Sequence, residues 1–432
     1  MKIGPDHHLD ARTRWTWRHF RLDLPADWEM LQFSRDMEKG RCAFADRYRF
    51  RLEFDWRRVP GAPDFERMMG DYRARLESPG DAEVTDLSVD SWRGIEVRRP
   101  AESTSRFGRY FIESGCLIEL VFLWPGERDA GLEQAILRSF APEPETPAGE
   151  HRWRAFGLDV TVPRSFVLSG CTVQPALARL EFAGPRAPAR ASFRRLGLVP
   201  RWLKTSAGKW LEAQASRSLR NPRRSTLDEA GHRIERIEGA FVPQGLLKAR
   251  GQYEAAAWLC PRDGRLYHVE RIRGRKDPAD LPALHYALHC CAPPSRCSGG
   301  SMSRPEQDIS APAGEHGNAD WIPMLRARMI PNAAARVRSA ASHAELSLEV
   351  PTRRPRWLVP PISWVVRPPA FRTLTLDALG VEVWTLCDGR RTVENIIDVF
   401  AQSHGLTFHE ARVSVTAYLK SLLQQGALAV AR

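Results

Sequence analysis

The chain has 432 residues, 43% hydrophobic and 27% charged, with a formal net charge of +12. That length exceeds one ordinary core and predicts several domains, while the composition excludes wholesale disorder. Lysine supplies only seven of the 64 basic residues, so the charge reads as arginine-rich surface, with a polyanion site as the alternative.

Residues 1–14 form a tail carrying Asp6, His7, His8 and Asp10 where a secretory signal needs an apolar run, so a cytoplasmic location is expected. No stretch approaches the about 20 apolar residues that span a bilayer, and the best, Cys116 to Trp124, is interrupted by Glu119. A membrane partner is therefore not expected. The cysteines follow no regular spacing and are expected to stay reduced, as small buried hydrophobes.

Two stretches look like one design written twice. Trp17-Arg18-His19-Phe20-Arg21-Leu22-Asp23-Leu24-Pro25 is answered by Trp153-Arg154-Ala155-Phe156-Gly157-Leu158-Asp159 and Val162-Pro163. Arg51-Leu52-Glu53-Phe54 recurs as Arg179-Leu180-Glu181-Phe182, and Trp56-Arg57-Arg58-Val59 as Phe193-Arg194-Arg195-Leu196. In the first copy, residues 15–142, alternation of Tyr48, Phe50, Leu52, Phe54 and Trp56 with charged residues predicts a strand. Phe65, Met68, Met69, Tyr72 and Leu76 fall on one stripe of a helix over 64–76 that should lie on the sheet. A hairpin of 106–112 and 116–124 follows, then a helix near 131–140. The second copy, residues 151–293, repeats the plan with strands at 252–260 and 266–272 and a helix near 281–291. Each copy is predicted to be a mainly antiparallel α+β sandwich, and the strand-heavy opening distantly resembles Mog1/PsbP-like domains.

From Pro293 to Glu315 the chain is rich in Pro, Ser, Gly and Ala and reads as linker. A basic piece, Trp321 to Ser342, follows, expected as a docking helix or a disordered segment broken at Pro331; residues 294–345 are assigned to the linker as a whole. The last domain, 346–432, is predicted to begin with short strands at 356–359 and 363–366, then a third at 371–376. Asp377 caps a helix over 378–386 that ends at Asp388-Gly389, and Thr392 caps the next. The third helix starts at Thr407 or His409 and closes at Gly426, with Ala411, Val415, Tyr418, Leu419 and Leu422 inward. Trp384 is expected in the core.

Leu376-Asp377-x-x-Gly380-x-x-x-Trp384, Asp388-Gly389 with Thr392-Val393, and Leu419-x-x-Leu422 before Gly426 resemble the PqqD family of recognition domains. The resemblance implies a winged helix of three strands and three helices. It implies that a leader peptide adds as a further strand to the exposed sheet edge and packs against the third helix, so that a precursor peptide is presented to a modifying enzyme, possible radical-SAM types included. The edge would be Phe371, Arg372, Thr373, Leu374 and Thr375, and the groove wall Arg412, Thr416 and Lys420. A winged helix also binds DNA, but from Phe371 onward basic and acidic residues balance and the third helix is not basic, which argues against a nucleic-acid partner. An adaptor with no peptide ligand is the other reading.

No catalytic motif is present: no nucleophile elbow, phosphate loop, dinucleotide fingerprint or His-Glu-x-x-His. His285 and His289, with Cys290, Cys291 and Cys297, have a spacing able to hold zinc on a helix, but the first copy has Gln134 and Arg138 there, so incidental thiols on a helix surface are expected. The chain is accordingly read as a non-enzyme with no cofactor and no metal.

Overall fold

The structure, a computed structural model, describes residues 11–76, 82–243, 249–274, 283–291, 321–342, 345–351 and 371–431. It is mixed α+β with mainly antiparallel sheets, divided into two compact units, Met1–Ala319 and Asp320–Arg432. No helix among the described residues is long and apolar enough to cross a membrane.

In the first unit, the recurring Trp-x-x-Phe openings each build a hairpin. Strand β1 (Arg12–Trp17) turns into β2 (Phe20–Pro25) through Arg18 and His19, both at positive φ (55° and 65°), the backbone that lets a two-residue turn follow strand twist. The later pair, β11 (Glu150–Ala155) and β12 (Leu158–Pro163), turns through Phe156 and Gly157 in the same way. The hairpins join through β1 and β11, Thr16 facing Arg154, and with β10 (Ala141–Pro142) make a five-stranded sheet.

Strands β3 (Glu29–Phe33), β4 (Lys39–Ala45), β5 (Phe50–Arg58), β6 (Glu83–Val89), β7 (Trp92–Arg99), β8 (Glu102–Phe111) and β9 (Cys116–Trp124) form a sheet in the order β3-β4-β5-β9-β8-β7-β6. The order β13-β14-β15-β19-β18-β17-β16 recurs for β13 (Val167–Gln174), β14 (Leu177–Ala183), β15 (Arg190–Leu196), β16 (Leu219–Glu229), β17 (His232–Phe241), β18 (Gly251–Leu259) and β19 (Leu266–Gly274). The alternation in β5 points Leu52, Phe54 and Trp56 into a core shared by both halves. At its centre Trp17 and Trp153 meet edge to face, 5.4 Å between ring centroids.

The helix Phe65–Leu76 stands over the outer face of its sheet, leaving a groove of about 960 Å³ lined by Trp56, Phe65, Tyr72 and Arg106. The second sheet is capped by helix Ala207–Gln214, whose Leu211 packs with Ile237, Phe241, Tyr253 and Ile272. Helix Ala130–Ser139 forms as its period predicts. The helix expected near 281–291 does not: among the described residues 283–291 the chain makes a 3₁₀ turn, Leu284–Ala287, after which Leu288 bridges to Val160. A run of Leu-Pro-Ala and a pair of cysteines offers too little helical stripe to hold a longer helix against that extended pairing.

In the second unit, the basic piece expected as a docking helix broken at Pro331 or as a disordered segment is a short helix, Ile322–Arg326, followed by β20 (Met329–Pro331), with Pro331 at the end of that strand. Strand β21 (Arg336–Ser342) pairs with β22 (Glu345–Pro351), which pairs with β23 (Phe371–Leu376). The first two strands of this sheet thus lie upstream of 356–359 and 363–366, which fall outside the described residues. In β22 alternation with polar residues buries Leu348 and Val350 and half-buries Leu346. Helices Ala378–Leu386, Val393–His404 and Phe408–Gln424 follow, and β24 (Leu428–Val430) closes on β20. Their core is Val383, Trp384, Val393, Ile396, Ile397, Phe400, Val415, Leu419 and Leu422.

Candidate functional site

Local chemistry fixes the frame of the site. Asp377 caps the first of the three helices, its Oδ1 accepting from Gly380 N at 2.8 Å. Thr392 with Asn395 and Thr407 with Glu410 form reciprocal capping boxes on the other two. Asp388 Oδ1 accepts from the amides of Arg390 and Arg391 (2.8 and 3.0 Å), closing the turn that Gly389 enters at φ +77°. His404 Nε2 lies 2.9 Å from Glu382 Oε2, tying the first helix to the second.

Strand β23 runs antiparallel to β22 from Pro351–Phe371 to Leu346–Leu376, and among the described residues nothing pairs with its other side. Phe371, Arg372, Thr373 and Thr375 are exposed, Leu374 is half-buried and Leu376 is buried. Two side-chain contacts link this strand and the cap after it to the last helix and its C-cap. Arg372 Nη2 donates to the Gln425 carbonyl at 2.5 Å, and Tyr418 OH donates to Asp377 Oδ2 at 2.9 Å. Tyr418 therefore spans from the helix to the end of the edge strand, a role that the sequence reading gave to the core; the signal missed was a phenol level with a capping carboxylate.

The expected groove residues on that helix sit elsewhere. Arg412 lies over the Trp321 ring, 4.1 Å from its centroid, with Nε donating to His409 Nδ1 at 3.0 Å. Thr416 Oγ1 donates back to the Arg412 carbonyl at 2.7 Å, and Lys420 is exposed. Positions 412, 416 and 420 share one stripe, and Tyr418 is turned about 200° from Thr416 at roughly 100° per residue. Of the five strand residues, Arg372 reaches the end of the last helix, and Tyr418, on the side of that helix away from Arg412, reaches the Asp377 cap that follows the strand.

Burial first, then the hydrogen bond to Asp377, pushes the Tyr418 phenol from 10.0 up to about 12. A raised pKa favours the protonated folded state, so its stabilising contribution is complete below pH 10.0 and is lost as pH climbs through about 12. The difference in alkaline ultraviolet titration between the native chain and Tyr418→Phe should show one phenol ionising near the upper value. Asp377→Asn should bring it down; a phenol ionising at its ordinary value in the native chain would contradict the contact.

Residues 365–428 match the family described as coenzyme PQQ synthesis protein D (PqqD). A PqqA binding protein of Rhodopseudomonas palustris strain BisB5 is 39% identical over 69 residues, 16% of this chain and 67% of the relative. That of strain HaA2 matches to the same extent. The chain belongs to the PqqD family. The matched region takes in β23, the three helices and the first residue of β24, so the open strand and the Tyr418 flank both lie inside the PqqD domain. The first unit lies wholly outside the match.

Proposed function

We propose that this protein is a non-catalytic peptide-recognition protein that presents a precursor peptide to a modifying enzyme, as in PQQ or another ribosomal-peptide pathway. The side of β23 that nothing pairs with among the described residues carries the reading, because a sheet margin of free amides and carbonyls holds any extended backbone in register while side chains select the sequence. The curated relatives are named for binding PqqA. In this reading the C-terminal unit is a winged helix, Phe371 to Thr375 form the contact strand, and Ser414, Tyr418 and Ser421 line the wall; Arg412, Thr416 and Lys420 bound the opposite flank. The two sheets with one strand order are copies of one domain, and this pair docks the enzyme, a radical-SAM enzyme being one candidate. DNA binding is disfavoured because one of the last helix's two strong cations, Arg412, is engaged with Trp321 and His409.

Titrating the full chain with synthetic PqqA, and with short peptides encoded beside its gene, tests this by calorimetry. One peptide should bind saturably at one per chain, a scrambled peptide should not, and a duplex DNA should not shift in low salt. Binding of the DNA but of no peptide would replace the reading with a regulator; binding of neither would leave an adaptor.

A further inference from the structure

The cysteines expected to be incidental converge. His232, Cys260, Cys290 and Cys291 place their ligand atoms within 4.8 Å of one another. Cys260 Sγ is 3.3 Å from Cys291 Sγ, and Cys290 Sγ 3.7 Å from Cys291 Sγ. His232 Nε2 is 3.3 Å from Cys290 Sγ and 3.5 Å from Cys291 Sγ. Ligands held at about 2.3 Å (sulfur) and about 2.0 Å (nitrogen) around one tetrahedral ion stand roughly 3.5–3.8 Å apart, so these separations are close to the edges of one coordination tetrahedron. The geometry points to a structural zinc site of three thiolates and one imidazole in the second half of the first unit.

Three separate pieces of chain bring the ligands in. His232 opens β17, Cys260 follows β18, and the Cys290-Cys291 pair follows the 3₁₀ turn. The last piece is fixed without help from the thiols: His289 N donates to the Asp159 carbonyl at 2.8 Å, and His285 Nε2 and Tyr286 OH meet the Glu229 carboxylate at 2.9 and 2.7 Å. Around Cys260 the chain folds as a tight knuckle. Cys260 N donates to the Arg265 carbonyl, Gly264 N donates back to Cys260 O, both at 2.9 Å, and Gly264 takes φ +65°. This aims the backbone amides of Arg262 and Asp263 at the Cys260 sulfur, while Trp258 Nε1 donates to Cys290 Sγ at 3.3 Å. Donors directed at sulfur are what a metal-bound thiolate needs around it.

The other half of the unit shows that packing alone does not call for these residue types. At the same place in its strand order, Trp92 opens β7 and β8 ends in Phe111; Phe140 lies 5.5 Å from Trp92 and 5.8 Å from Phe111, centroid to centroid. Aromatic rings fill that corner, whereas the second half fills it with four metal-ligand side chains. Three thiolates with one histidine, enough to fill the four positions of a tetrahedral ion, suit zinc over calcium or magnesium, which require oxygen. His285 and His289, the pair whose spacing suggested zinc, are not part of the set: His285 is held by Glu229, and His289 lies outside the cluster. Cys297 falls outside the described residues.

Elemental analysis of the full chain purified under reducing conditions should find about one zinc per chain, and replacement by cobalt should give the thiolate charge-transfer band and the ligand-field bands of a tetrahedral site. His289→Ala should keep the metal. The double substitution Cys290→Ser with Cys291→Ser should lose it, and Trp258→Phe should weaken binding about 10-fold. Because loss of two ligands can also unfold the chain, His232→Cys supplies the second arm: it should retain zinc and shift the cobalt bands to a four-thiolate pattern. The proposal is overturned if the reduced chain holds no zinc and gives no cobalt–thiolate band, if the double serine variant keeps its metal, or if the protein isolated without reductant carries a Cys260–Cys291 disulfide and takes up no metal after reduction.

Discussion

Trp17→Ala should cost the first unit about 3–5 kcal/mol, the largest single-residue loss expected in this chain. Trp17 is 0% exposed and its ring meets Trp153 at 5.4 Å, Phe33 at 5.7 Å and Phe156 at 6.0 Å. Among the described residues its indole N–H has no partner, so the expected effect is lost packing plus the cavity left behind. Because the ring joins the two hairpins at the centre of a shared aromatic cluster, neighbouring side chains cannot collapse into the space without displacing one sheet. A domain of this kind is stable by only about 5–15 kcal/mol, so the loss takes a large share of it. Denaturant unfolding followed by tryptophan fluorescence, with Met68→Ala as the surface control, measures it; Met68 is 44% exposed and its truncation should change stability by less than about 0.5 kcal/mol. Equal midpoints for the two variants would remove Trp17 from the centre of the core.

What the sequence made legible was whatever repeats over a short distance. Strand β5 is visible because Leu52, Phe54 and Trp56 share one buried face, and the three C-terminal helices because Asp377, Thr392 and Thr407 cap them within the next three residues. Strand β16 was invisible: Leu219–Glu229 is exposed along nearly its whole length, so no alternation marks it and only pairing to β17 makes it a strand. In the C-terminal sheet the alternation of Leu346, Leu348 and Val350 was present, but the Pro-punctuated runs downstream drew the assignment. The cysteine cluster was hidden for a different reason. Its ligands lie on three segments, and the only regular spacing, His285 to His289, pointed away from it; the Cys260-Pro261-Arg262-Asp263-Gly264 turn after a strand and the adjacent Cys290-Cys291 pair were the available signs. In the C-terminal unit the strand Phe371–Leu376 was legible from its residues, while the contact of Tyr418 with Asp377 was not, because which side of an amphipathic helix meets a neighbouring element is set by tertiary packing.

The second large effect concerns the edge strand. In an antiparallel pairing every second residue of β23 turns both its N–H and its carbonyl toward the newcomer, and the residues between bond to β22. A peptide that adds as a strand must therefore use alternate amides. N-methylation of two amides facing β23 removes two hydrogen bonds at about 1 kcal/mol each and should weaken binding about 30-fold, whereas methylation of the two intervening amides, which face solvent, should change it far less. A single-methyl scan along the bound peptide should accordingly give losses with a period of two. Losses spaced by three or four would mean a helix lying in the groove, and a flat scan would mean side-chain capture without strand addition; either pattern sinks β-augmentation while leaving peptide binding itself intact. The protein side gives a matched reading: Thr373→Pro and Leu374→Pro each delete one strand amide, but on opposite sides of β23, so one should unsettle the β22 pairing and the other should leave the fold and weaken the peptide. Circular dichroism separates the two, and the substitution that keeps the fold identifies which set of β23 amides receives the peptide.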